Sequence, residues 1–408
     1  MTHPLIRDAA GPALVPKPGV AWSDTMILNP AIVRDPASQR IHMLFRATGA
    51  CRSSYSFGQR DPYPIFLGYA WSDDLGQTWE ADFSRPALAP RLAVTPETIL
   101  FKNHAGKEVV DFSNGCIEDP RLIPLEGKLY LTVACRMFPP GPYWEHDEPL
   151  QCTPPWALDA DLPFGRAARE NLTVNVLFEV HLDKLIARQY EQAFTYLGPM
   201  TDPQRGDNRD AFLFPERLKI NGKLMYVCAH RPREAWNYPE GKPGQSPTMY
   251  LAAAETLEDM ATDRALHVQL AQGVLPWEGN RVGGSFPPIR IAPRQWLMPY
   301  HGKQNDEVGY TQSFMILEED EAGWPRVKHR CSDRLLYASQ SWQRSERFTI
   351  PCIFTCGGVV TDDGDLVMSY GAADEIVGIA RTNLASLVQH VRTFDAMGRP
   401  LPASTLAK

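Results

Sequence analysis

The sequence predicts an all-β protein, a five-bladed β-propeller with long inter-blade insertions. Three observations lead there: an excess of Pro and Gly, a hairpin pattern that recurs five times, and turn residues set between the paired strands. The 408 residues include 36 Pro and 29 Gly, about 16% of the chain against a usual ~12%. Proline inside a helix costs ~3 kcal/mol, so a long helical bundle is disfavoured. The 44% hydrophobic content excludes a disordered chain.

Each copy of the repeat is a Pro-marked or small-residue turn, an apolar strand, a tight turn and a second apolar strand. The copies are Asn29–Arg34 with Arg40–Arg46, Glu118–Ile123 with Lys128–Arg136, and Arg209–Pro215 with Lys223–Arg231. Ser285–Ile291 with Gln295–His301 and Cys356–Val360 with Asp365–Gly371 complete the set. Their closing positions, 46, 136, 231, 301 and 371, are 90, 95, 70 and 70 residues apart. The turns at Glu126-Gly127, Asn221-Gly222 and Asp363-Gly364 suit hairpins, whose central positions take φ > 0. Further strands follow, as in Phe66–Trp79. Four short strands per unit, repeated radially, make a propeller. The alternative is a β-sandwich with chance similarity between hairpins. A propeller closes into one domain, so residues 1–408 are read as a single domain with its core at about 25–385. Proline in Asp119-Pro120 is expected to hold the preceding residue extended, and Arg121 is a candidate to orient the Asp119 carboxylate.

The insertion at 137–171 and the stretch 231–247 are rich in Pro and aromatic residues. Loops of this length in compact domains usually serve a function. They rim the funnel, form a homo-oligomer contact, or are surface loops without a role. Tyr143, Trp144 and Trp156 are candidates either for stacking on a bound ring or for packing at a subunit contact.

Charge and cysteine usage narrow the partners. The net charge is −7, from 41 Lys+Arg and 48 Asp+Glu, and no basic run interleaves with aromatics, so no nucleic acid partner is expected. No membrane span and no signal peptide are expected. The eight Cys (51, 116, 135, 152, 228, 331, 352, 356) read as reduced thiols of a cytoplasmic protein. No metal ligand set is expected, because Cys352 and Cys356 lack a second pair at zinc spacing.

The inner strands of a propeller face one axis, so Asn29, Arg46, Glu118, Asp119, Arg209, Asp210, Arg231, His301 and Asp374 would converge in one funnel. Facing carboxylates and cations make a plausible reaction site. Glycoside cleavage needs an acid for the departing oxygen, and an inverting hydrolase needs a second carboxylate to activate water. A phosphorolytic enzyme instead needs cations that hold phosphate.

At these residues the chain resembles glycoside hydrolase family 130, the β-mannoside phosphorylases and β-mannosidases. The resemblance rests on motifs in order: Asn29-Pro-Ala, Phe45-Arg46-Ala, Gly68–Asp74, Ile117–Arg121, Asn208–Glu216, Ala229–Pro232, Trp277–Gly284, Pro287–Ile289, Pro299–Gly302 and Tyr370–Ala380. It implies the propeller fold and residue roles. Asp119 matches the catalytic acid, whose proton is thought to travel through a mannose hydroxyl. Asn29, Arg46, Arg52 and Asp374 match the substrate-binding positions of the −1 mannose. Arg209, Arg231, Arg281 and His301 match the phosphate-binding cations, with Arg281 where Lys is more usual. The implied reaction is inverting phosphorolysis of a short β-mannoside to α-mannose 1-phosphate, with inorganic phosphate as co-substrate and no other cofactor. A phosphate-independent β-mannosidase and a non-catalytic carbohydrate-binding propeller are the alternatives. Glu216 and Glu278 are the carboxylates that would favour hydrolysis. Their structural alternatives are ion pairs, Glu216 with Arg217 or Lys223 and Glu278 with Arg281.

Overall fold

Every second strand of the repeat is a run of apolar residues, and burying both faces of such strands requires neighbouring sheets. The computed structural model describes residues 3–49, 63–102, 106, 108–140, 153–159, 161, 162, 164–305, 307–346 and 348–402. It forms five antiparallel blades. Their inner strands are Met26–Arg34, Cys116–Leu125, Asn208–Leu213, Arg281–Gly284 and Ile353–Val360. Each pairs with the second strand of its hairpin: Ile41–Thr48, Lys128–Arg136, Lys223–Pro232, Gln295–Lys303 and Asp365–Ala372.

Apolar side chains fill the seams between blades. Leu44 and Tyr69 of blade 1 share a cluster with Leu122, Leu131 and Val133 of blade 2. Phe212 and Phe214 of blade 3 meet Trp296, Met298 and Tyr300 of blade 4. Phe286 and Ile316 meet Leu366, Met368 and Tyr370 of blade 5. The ring closes through Ile27, Ile32 and Met43 against Val367 and Ile379.

Turn chemistry works as the sequence predicts. Glu126 and Gly127, then Asn221 and Gly222, all have positive φ, as tight hairpins require. Three departures have local causes. Asp119 has φ 50°, although it precedes a Pro and was expected to be extended, and Asn29, also before a Pro, has φ 45°. Both lie in β-bulges, where two inner-strand residues oppose one on the partner. Asn and Asp tolerate the left-handed region better than other residues with a Cβ. In blade 4 the inner strand is split: Arg281–Gly284, ahead of the predicted Ser285–Ile291, and Ile289–Ala292 within it both pair with Gln295–Lys303, and the break falls at Pro287 and Pro288, which cannot donate to the ladder. Finally, blade 5 takes its outermost strand from Arg7–Asp8, which pairs with Ile376–Asn383. A two-residue strand carries no periodicity, so the sequence did not reveal it.

Asp8 fastens that closure. Its carboxylate accepts hydrogen bonds from the Tyr370 hydroxyl at 2.6 Å, Gln343 Nε2 at 2.6 Å and Gln340 Nε2 at 2.9 Å. Replacing Asp8 with Ala strands a buried hydroxyl, which costs about 1–3 kcal/mol. Urea unfolding should show a loss of that size with native circular dichroism. An unchanged midpoint would mean that the strand does not fasten the ring.

Candidate active site

The bulges decide which side chains reach the axis. Asn29, Asp119 and Asp210 occupy the same bulge position in blades 1, 2 and 3, with φ 45°, 50° and 56°. Asp374 arrives differently. It sits in the turn between Asp365–Ala372 and Ile376–Asn383, where Ala373 and Asp374 have φ 57° and 54°. Close approach of the blades needs glycine twice. A Cβ on Gly371 would lie 2.1 Å from Asn29 Oδ1, and one on Gly283 would lie 2.2 Å from Asp210 Oδ2.

A pocket of about 270 Å³ opens at this end of the ring. Asn29, Arg46, Glu118, Asp119, Arg209 and Asp374 line it, as the sequence predicts. Arg136, Tyr310, Cys352 and Phe354 also line it. Arg136 closes the second copy as Arg46 closes the first, and that equivalence was the signal available in the sequence. Its Nε is buried with no hydrogen-bond partner among the described residues. Arg52, Tyr143 and Trp144 lie outside the described residues.

Asp119 Oδ1 accepts hydrogen bonds from Asn29 Nδ2 at 2.8 Å and Arg46 Nη1 at 3.0 Å. Arg46 also lies 3.3 Å from Glu118 Oε2, and Arg209 lies 3.8 Å from the same oxygen. Burial raises the Asp119 pKa, but Arg46, Arg121, the Asn29 amide and Arg209 outweigh it and hold the carboxyl below its ordinary range. Asp119 is therefore a carboxylate. Asp374 goes the other way: burial pushes its pKa up, against Arg46 and a hydrogen bond from the Cys352 thiol at 3.3 Å.

The predicted cations divide into two groups. Arg209 lines the pocket, and Arg281 reaches its wall through Tyr310, with Nη1 3.3 Å from the hydroxyl. Arg231 and His301 turn to Asp210 behind the wall, at 2.5 Å and 3.4 Å from Oδ2. His301 is fully buried. Burial pushes its pKa down against the pull of Asp210, so it is a neutral imidazole and does not join the cations. Lys303, missed by the sequence reading, belongs with them. Burial and then Arg281 and Arg231 press its pKa down. Burial and the charges of Arg231 and Arg209 press Arg281 down likewise, with Tyr310 opposing. For these two, the neighbouring like charges and burial outweigh the carboxylates Asp210 and Asp374.

Other expectations are corrected. Arg121 does not orient the Asp119 carboxylate. It donates to the Asp119 carbonyl at 2.7 Å and the Ser285 carbonyl at 3.1 Å, and pairs with Asp210 at 3.3 Å. Glu216 pairs with Arg290 at the surface, and not with Arg217 or Lys223. Glu278 is buried 3.6 Å from Arg330, not with Arg281, and accepts from the Val274 and Leu275 amides. Neither carboxylate lines the pocket. Trp156 is a packing residue, edge-on to Phe138 and Phe164, with its indole N–H on the Val94 carbonyl.

Known proteins resemble this chain along its length. The glycoside hydrolase 130 family model, described as beta-1,4-mannooligosaccharide phosphorylase, matches residues 169–393. A beta-1,4-mannooligosaccharide phosphorylase of Ruminococcus albus is 30% identical over 195 residues, 47% of this chain and 52% of that protein. The match thus spans about half of that relative's length. A 1,2-beta-oligomannan phosphorylase of Thermoanaerobacter sp. is 30% identical over 369 residues, 90% of this chain and 94% of that protein. Among solved structures, a beta-1,2-mannobiose phosphorylase from Listeria innocua superposes with a TM-score of 0.62 at 17% identity, covering 95% of this chain and 99% of that one.

The charge network generates two predictions with opposite signs. Burial opposes ionisation of Asp210, but Arg231, His301 and Arg121 hold its pKa well below the ordinary value. A depressed carboxyl stabilises the fold above the unfolded-state pKa and loses that contribution as pH falls through the folded one. Asp210→Asn strands buried guanidiniums and should cost about 3–5 kcal/mol at pH 7. The gap to the parent protein should hold down to about pH 4 and shrink only below it, read from urea midpoints. Asp374 has a raised pKa, so its contribution is present at low pH and is lost as pH rises. Asp374→Asn should therefore leave the melting temperature at pH 7 unchanged or higher. A fall like that of Asp210→Asn would refute this reading.

Proposed function

The chain belongs to glycoside hydrolase family 130, and on that premise we propose that it is an inverting β-mannoside phosphorylase. The carrying observation is the mutual crowding of Arg281 and Lys303, beside the Arg209 and Arg136 side chains that line a pocket holding the Asp119 carboxyl. Such crowding is costly until an anion of matching charge arrives, and guanidinium forks suit phosphate oxygens.

Asn29, Arg46 and Asp374 hold the mannose at the cleaved bond, and phosphate sits against the cations. One phosphate oxygen attacks the anomeric carbon as the glycosidic C–O bond breaks on the opposite face. The attack inverts the centre and yields α-mannose 1-phosphate. Asp119 supplies the proton that the departing acceptor sugar takes up. Phosphate also prepares that acid. It engages Arg209, one of the groups that keep Asp119 ionised, and adds negative charge nearby, and both effects raise the carboxyl pKa towards protonation. A hydrolase would need a second carboxylate to activate water. Neither Glu216 nor Glu278 is placed for it. Six described cysteines are buried free thiols, which supports a reducing, cytoplasmic setting.

Incubation of the protein with short β-mannosides tests the proposal. α-Mannose 1-phosphate should form, and only when phosphate is present. Asp119→Asn should lower kcat by about 10²–10⁴-fold with the fold intact. Arg209→Ala should raise KM for phosphate more than KM for the sugar. Free mannose released without phosphate would replace this reading with hydrolysis.

A further inference from the structure

The N-terminal closing strand is held at a second place, away from the reaction pocket. His3 precedes that strand, Asp333 follows the outer strand of blade 4 (Pro325–Arg330), and His390 lies on the C-terminal helix Leu384–Val391. Their side chains meet. His3 Nε2 and His390 Nε2 stand 3.5 Å and 2.8 Å from the same oxygen, Asp333 Oδ2. The two imidazole centroids are 5.0 Å apart, and one ligand atom from each of the three residues lies within 4.8 Å of the others. We propose that His3, Asp333 and His390 form a site for a divalent transition metal ion of the zinc type, which clips the N-terminal closing strand to the C-terminal helix.

The donor set fits that class. Two imidazole nitrogens and one carboxylate oxygen suit zinc and its first-row neighbours, whereas magnesium and calcium prefer oxygen alone. Tetrahedral bonds of ~2.0–2.1 Å place neighbouring donors roughly 3.3–3.5 Å apart. The His3–Asp333 separation already matches, and the His390–Asp333 separation needs to open slightly. The side chains of His3, Asp333 and His390 are 22%, 38% and 25% exposed. An ion can therefore enter from solvent and keep water as its fourth ligand.

Without metal, the Leu5 N–H donates to His3 Nδ1 at 3.3 Å, which leaves the His3 ring proton on Nε2, facing Asp333. Metal ligation shifts that proton to Nδ1 and gives up the long Leu5 contact. The three ligands come from both ends of the chain and from the link between blades 4 and 5. An ion that needs all three binds only the closed ring and stabilises it by mass action. None of the three residues lines the reaction pocket, so the clip is separate from catalysis.

The test uses the tag-free full chain, stripped with a chelator and then titrated with zinc or cobalt ions. One metal ion should bind per chain, the melting temperature should rise with zinc, and cobalt should give a visible absorption band. Asp333→Asn and His390→Ala should each weaken zinc binding by at least about tenfold, since even outer partners of metal ligands cost 10–100-fold. His3→Gln, at the edge of the fold, should do the same without disturbing folding. All three variants should keep the phosphate-dependent activity. No zinc binding, or binding equally tight in the His3→Gln and Asp333→Asn variants, would overturn the proposal.

Discussion

A short polar side chain in a left-handed bulge is the constraint on which this architecture depends. In three blades the inner strand breaks its register at one position, and Asn29, Asp119 or Asp210 fills it with positive φ. A residue held there costs of order 1–3 kcal/mol when its surroundings impose the conformation. The return is positional. Three polar groups from three strands point at one axis, which regular strands with side chains alternating between faces would not achieve. Charge pairing keeps them there: Asp119 by Asn29 and Arg46, and Asp210 by Arg121 and Arg231.

The two aspartates divide the work. Asp210 is 2% exposed and ties guanidiniums of blades 2 and 3, with His301 of blade 4 close by. It makes a rigid floor. Asp119 bears on the pocket and shares Arg46 with Glu118. Beyond that floor Arg281 and Lys303 press on one another with only part of their charge answered, and this surplus suits an incoming anion. The surplus also ties the two halves of the reaction together. In the proposed reaction Arg209 is the link: with Arg46 and Arg121 it holds Asp119 ionised, and phosphate bound to it would ease the acid towards protonation as the nucleophile arrives. Water offers no such charge and would not trigger it.

The hairpins were legible because their causes are local. Asn221-Gly222 and Glu126-Gly127 specify turns wherever they lie, and the apolar runs that follow need neighbouring sheets. Asp119, Asn29 and Arg46 were legible through repeat position. The rest depends on three-dimensional burial. His301 looks like a cation in sequence but is enclosed and neutral. Glu278 was paired by proximity with Arg281, whereas the fold gives it Arg330, 52 residues away in the chain. The Pro rule for Asp119 failed because the bulge outweighed a local preference. The ring closure by Arg7–Asp8 is too short to show any pattern, and Lys303 gains its role only from neighbours brought in by the fold.

The surplus of positive charge is the central claim, and a crystal soaked with inorganic phosphate addresses it most directly. The account predicts one anion against Arg209, on the Tyr310 and Arg281 side of the pocket, within reach of a sugar bound at Asp374. An empty cation cluster at saturating phosphate, or an anion seated only elsewhere on the ring, would contradict it.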